Sequence, residues 1–178
     1  MAINLNKIKK VGDYTSGHVG SIAEGAPTYV RSFSVELSSS QEYTAGAPLL
    51  LGTDPSVQAR PTVSGDTINY HTFAGMAVLD PTKEAADPGG VQYVDGDSVP
   101  VLKFGVMAVS ASEAVVAGEA VVAQVNGGLL KSAHATGSLA AGEFFLPMCR
   151  WLDSASAGGV ANMSIGMELA HREITGSL

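Results

Sequence analysis

Cysteine is almost missing from this chain of 178 residues: Cys149 stands alone, which excludes an intramolecular disulfide framework and fits assembly in a reducing cytoplasm. Long apolar runs are missing too. The most apolar stretch, Val99 to Ala133, is broken by Gly, Lys or Glu well short of the roughly 18 consecutive residues that a membrane helix requires. The lysines near the N-terminus are followed by Gly, Ser, Thr and His, so no secretory leader is predicted. Aromatic residues amount to only 6%.

Catalytic vocabulary is equally sparse. His18, His71, His134 and His171 are far apart in sequence, with no H-x-x-x-H or C-x-x-C spacing to build a metal site, and each reads as an ordinary strand or surface histidine. Asp95-Gly96-Asp97 offers two carboxylates but not the oxygen-rich loop that calcium needs, so it reads as a turn. Cys149 and His171 have no nucleophile turn or orienting partner, and Cys149 within "FFLPMCRWL" reads as a small buried hydrophobe. G-x-S-x-G, the Walker A loop and a strand-to-helix G-x-G-x-x-G are all missing. The sequence predicts no catalytic residue, no cofactor and no metal, hence not an enzyme.

Excess positive charge is lacking as well. The net charge is −7 and the pI about 4.9, which argues against direct nucleic-acid contact. What cations there are cluster at one end. Lys7, Lys9 and Lys10 fall in the first ten residues, leaving seven cations against seventeen carboxylates, a net of −10, for the remainder. Ile3, Leu5 and Ile8 alternate with polar neighbours there. Such a segment suits strand addition and charge pairing on an acidic partner.

Glycine is abundant at 21 residues, with 8 prolines and many Ala, Ser and Val, a composition for short elements joined by tight turns. As a helix, Ser110 to Ala123 would carry Gly118 at its centre and show no polar face at a 3.6-residue period. As strands it divides naturally, with a turn at Ala117-Gly118 and a hairpin signal at Asn126-Gly127. "YTAGAPLLLG", "VVAGEAVVAQ" and "LAAGEFFLPM" each place Ala-Gly before an apolar run. We read this as a reused strand-opening device, too irregularly spaced to be a solenoid or propeller repeat.

Strands are predicted near Thr28–Leu37, Pro48–Leu51, Thr67–His71, Gly75–Leu79, Val99–Ala111, Glu119–Val125, Leu129–Ala133, Glu143–Leu152 and Asn162–His171. A long acidic surface loop is expected over Asp80 to Ser98. The fold expected is all-β, a β-sandwich or partly closed β-barrel, with residues 1–25 as an extended N-terminal arm and 26–178 as a single β-rich domain.

The order "FAGMAVLD … VQYVDGDSVPVLKFGVMAVSASEAVVAGEAVVAQVNGGLLKSA", Phe73 to Ala133, resembles the structural cement, or capsid decoration, proteins of tailed bacteriophages. It is also similar to a related group of small phage-encoded proteins of uncharacterised function. The likeness rests on a strand leading to a Gly and alternating valines, then the Ala-Gly-acidic-apolar opening, then an Asn-Gly hairpin. It implies a non-enzymatic bacteriophage capsid cement protein, made in the host cytoplasm. That protein would bind the outer surface of the virion head and bridge major capsid protein subunits as a homo-oligomer, dimer or trimer, without membrane or nucleic-acid contact. The expected capsid-binding residues are Ile3, Leu5, Lys7, Ile8, Lys9 and Lys10. Two alternatives are a tail- or fibre-associated β-rich adhesion module and a hydrolase with an unrecognised site.

Overall fold

The described residues of the computed structural model, 18–23, 26–38, 44–80, 93–125, 130–132 and 139–166, contain nine strands and no helix. In chain order these are β1 (Tyr29–Val35), β2 (Pro48–Leu51), β3 (Gln58–Pro61), β4 (Phe73–Ala77), β5 (Ser98–Ser110), β6 (Ala120–Gln124), β7 (Leu130–Ser132), β8 (Glu143–Trp151) and β9 (Val160–Ile165). The all-β expectation holds.

Strands β1-β3-β2-β4-β5 form one sheet, and β1 pairs in turn with β5, so the sheet closes into a five-stranded barrel. Among the strand pairings of the described residues only β1–β3 is parallel. The second half of β5 leaves the barrel to begin another sheet, β5-β9-β8-β6-β7, whose last strand curls back until Leu130 bridges Ala111, just past the end of β5. One 13-residue strand thus belongs to both halves. The change of partner falls at Gly105, whose φ is +139° and where a Cβ would stand 3.2 Å from the Pro27 carbonyl oxygen. Only glycine accepts both conditions easily.

Burial follows this division except that Leu50, Met76 and Leu102, from barrel strands, belong to the cluster of the second sheet. Val99 and Val101, in the first half of β5, pack with Phe33, Val35, Leu49, Ala59 and Ala77 inside the barrel. Met107 and Val109, in the second half, pack with Val121, Leu146, Cys149, Trp151, Met163 and Ile165. Each large side chain so buried contributes on the order of 1.5–3 kcal/mol relative to exposure. The alternation of the strand decides which side chains reach these cores.

The Ala-Gly device works as read. Gly46, Gly118 and Gly142 adopt φ of +78°, +87° and +82° one or two residues before β2, β6 and β8. Gly96, in the predicted Asp95-Gly96-Asp97 turn, does the same before β5. Strands β6 and β7 pair antiparallel as the hairpin signal predicts, with Val121 opposite Ser132, while Asn126-Gly127 itself lies outside the described residues.

Three expectations need correction. Thr67–His71 is not a strand: the Asn69 side-chain carbonyl accepts the N–H groups of His71 and Thr72 at 2.8 and 3.1 Å, and Thr72 Oγ1 donates to the Thr67 carbonyl at 2.8 Å. Asn69 offers the backbone a local alternative to a ladder. A strand is instead made by the short, polar Gln58–Pro61, because β1 and β2 supply partners on both sides. The strand predicted over Gly75–Leu79 begins two residues earlier, at Phe73, where β2 provides a partner for it.

Strand β9 ends at Ile165 before Gly166, at φ +72°. Residues 167–171 of the predicted last strand, and 81–92 of the predicted loop, lie outside the described residues. Within the stretch 1–25, residues 18–23 run along β5: Gly20 N–H donates to the Ala108 carbonyl at 2.7 Å, and Ala23 N–H to that of Val106 at 3.0 Å.

Candidate functional site

Phe33 is the largest buried side chain of β1 and lies at the rim of the barrel core, 2% exposed. Its neighbours along the ladder make the site. Arg31, two residues earlier on the same face, sets its guanidinium 4.9 Å from the Phe33 ring centroid, and Lys103 of β5 brings its ammonium to 5.5 Å of the same ring. Both cations meet the electron-rich face of one aromatic ring. Burial, and next the charge of Arg31, hold the Lys103 ammonium below the usual lysine range.

Arg31 also donates to the Ser56 carbonyl in the β2–β3 turn. Neither Arg31 nor Lys103 makes an ion pair with a described carboxylate. The contrast with two other cations is plain: Arg60 makes two hydrogen bonds to Asp66 at 2.7 and 2.8 Å, and Lys131 reaches Glu143 at 2.5 Å.

Lys103 borders a cleft as well. Leu51, Tyr70, Phe73 and Gly75 of the barrel side and Pro147, Met148 and Ile165 of the second sheet enclose about 230 Å³ with it. Tyr70 is 67% exposed at its rim. Met148 has φ +57°, an uncommon conformation for a residue with a side chain. The walls are apolar apart from Lys103 and the Tyr70 hydroxyl, and among the described residues no three His, Cys, Asp or Glu side chains converge as a metal site would need. The arrangement, a cation beside apolar walls, is suited to holding a peptide or a carboxylate.

Carboxylates line the neighbouring turns. Glu36 accepts hydrogen bonds from Thr53 N–H and Thr53 Oγ1 at 2.6 and 2.7 Å, and these bonds hold its pKa below the ordinary glutamate value. Asp95 accepts the Leu37 N–H at 2.9 Å, and Asp97 that of Val94 at 3.0 Å. These carboxylates fasten the ends of β1, β2 and β5.

The residues expected to bind the capsid, Ile3, Leu5, Lys7, Ile8, Lys9 and Lys10, lie outside the described residues, as do His134 and His171. His18 and His71 are exposed. Cys149 is buried, with its thiol 3.4 Å from the Pro147 carbonyl oxygen, in the hydrophobic role its context suggests. Sequence reading passed over Arg31 and Lys103 as a pair. The signal available was a single cation inside each of two otherwise uncharged strands, "YVRSFSV" and "SVPVLKFGVMAVS".

Residues 9–166 match the family described as structural cement protein (E217 gp24/Pam3 gp6). Among solved structures, a chain from the capsid of Myoviridae Phage XM1 is similar, with a TM-score of 0.62 and 17% identity, over 93% of this chain and 98% of that one. At that identity the likeness speaks to the fold. No curated protein matches.

Proposed function

This chain belongs to the bacteriophage structural cement protein family, and from that membership we propose that it binds the outer surface of the phage head and bridges neighbouring major capsid protein subunits. It is a capsid-associated structural protein of the virion. The carrying observation is the family match over residues 9–166, which spans every strand of both sheets.

The physical case is one of repetition. A small, rigid, acidic β-body remains soluble before assembly, and modest contacts repeated around the shell resist internal pressure through multivalency. The N-terminal arm, residues 1–25 in this reading, reaches across a subunit boundary and engages the capsid protein through Ile3, Leu5, Lys7, Ile8, Lys9 and Lys10, and residues 26–178 act as one body. The protein works as a dimer or trimer, without catalysis and without membrane or nucleic-acid contact. Trp151, the sole tryptophan, is fully buried, which weighs against a tail module that stacks saccharides on it.

The test is co-sedimentation of the purified protein with undecorated, expanded phage heads. Saturation at a fixed number of copies per capsid subunit is the expected result. Protein that stays in the supernatant at all concentrations overturns the reading.

A further inference from the structure

Among the described residues, the first half of β1 has a ladder partner on one side only, β5. Val35 N–H donates to the Asp97 carbonyl on the β5 side, and Ser34 N–H to the Val57 carbonyl on the opposite side, both at 2.7 Å. Backbone groups of successive residues alternate in this way, so those of Ser32 and Val30 point away from β5. Strand β3 pairs with β1 only at Ser34 and Val35. Among the described residues nothing pairs with Val30 or Ser32 on that outer side, and Tyr29, Val30, Arg31 and Ser32 are all exposed.

An open edge is a template for another strand, and proteins often blunt one with a charge or a bulge. Here a bulge lies between Tyr29 and Val30, and Arg31 sits at the centre. Blunting would need Arg31 alone. It does not account for Lys103, held beside Arg31 over one ring, where the two like charges repel and burial has already weakened the lysine. A carboxylate arriving there would relieve both. A second copy pairing edge to edge is disfavoured, because it would bring Arg31 up to its own counterpart.

We propose that the Tyr29–Phe33 edge accepts an extended, carboxylate-bearing strand of the capsid protein, joined by backbone hydrogen bonds at Val30 and Ser32 and by its acidic side chain at Arg31 and Lys103. The mode is strand addition, with the backbone giving affinity and the cation pair giving register. This inference rests on the capsid-binding reading and adds a docking element within the body to the arm.

Three variants test it in the co-sedimentation assay. Ser32→Pro removes the outward N–H on an edge that tolerates proline, Arg31→Glu inverts the charge, and Ser32→Ala keeps the backbone donor as a control. Thermal unfolding checks that each variant folds. Ser32→Pro and Arg31→Glu are expected to bind heads at least roughly tenfold more weakly, while Ser32→Ala binds like the unaltered chain. Should Ser32→Pro fail to fold, hydrogen exchange on the unaltered protein replaces it, with slowed exchange of the Val30 and Ser32 amides on heads as the expected result. Undiminished binding by the folded variants, or unchanged exchange at both amides, overturns the edge and leaves the capsid reading standing. No binding by the unaltered chain overturns both. Self-association of the free protein that Ser32→Pro abolishes overturns the proposal in favour of a second copy.

Discussion

Gly75 of β4 lies so close to the Leu102 carbonyl oxygen of β5 that a side chain could not stand between them. Its φ is +134°, outside the range that residues with a Cβ adopt comfortably, and the adjoining β4–β5 ladder has only two partners, Met76 with Leu102 and Ala77 with Val101. The barrel is sealed at this short seam. Close approach and backbone conformation therefore act on the same residue.

Gly75→Ala is expected to destabilise the protein by at least about 2 kcal/mol, since backbone strain and overlap add. Gly118→Ala, at φ +87° with open space around it, has only the conformational penalty of about 1–2 kcal/mol. Denaturant unfolding of both variants checks this. An equal loss would mean that the Leu102 contact has no energetic consequence.

Trp151 is fully buried in the second sheet, and its indole N–H donates to the Lys131 carbonyl at 3.2 Å, tying β8 to β7. Trp151→Phe removes the donor, leaves that carbonyl without it and opens a void, for an expected loss of about 1–3 kcal/mol. As the sole tryptophan it also reports directly. Native emission should be blue-shifted and move to the red on unfolding; a solvent-exposed native spectrum would contradict the packing.

The Arg60 hydrogen bonds, and then the Val63 N–H, hold the Asp66 carboxyl below the ordinary aspartate range. A carboxyl whose folded value is depressed contributes stability above its unfolded value, near 4, and loses it as the pH falls through the folded value. Asp66→Asn should therefore cost about 1–2 kcal/mol at neutral pH and progressively less below about pH 4. Unfolding curves at both pH values provide the check, and a pH-independent difference would exclude the ion pair as its cause.

Burial, then the charges of Asp80 and Asp97, push the Tyr93 phenol up to about 12. The neutral phenol is the form the fold prefers, so its contribution is intact below the usual tyrosine value of about 10 and is lost as the pH rises toward the folded value. In a spectrophotometric titration of the native protein, Tyr93→Phe should remove a late-titrating phenol. Loss of an early one would show that Tyr93 is solvated.

Deleting residues 1–10 removes Lys7, Lys9 and Lys10 together with Ile3, Leu5 and Ile8. The expected outcome is weakened sedimentation with heads and an unfolding midpoint close to that of the full chain. Full-strength binding by the truncated protein would remove the arm from the capsid interface.

Much of the fold was legible because strand signals here are local. Ala-Gly before an apolar run specifies a left-handed residue and then a strand, and Gly46, Gly118 and Gly142 each deliver it, although the strand after Gly142 is buried only in part. Gln58–Pro61 was not legible, since only Ala59 among its four residues is buried and its ladder is supplied by β1 and β2. Thr67–His71 misled because side-chain hydrogen bonding at Asn69 outweighs strand propensity.

The candidate site divides in the same way. Composition, the lack of catalytic spacing and the repeated strand openings belong to the sequence itself, because each depends on residue type and near neighbours. Closure of the barrel through β1 and β5, the change of partner at Gly105, and the meeting of Arg31 with Lys103 over Phe33 depend on register between segments far apart in the chain. Only tertiary structure decides these, because a one-residue slip in that register would turn either cation to the opposite face.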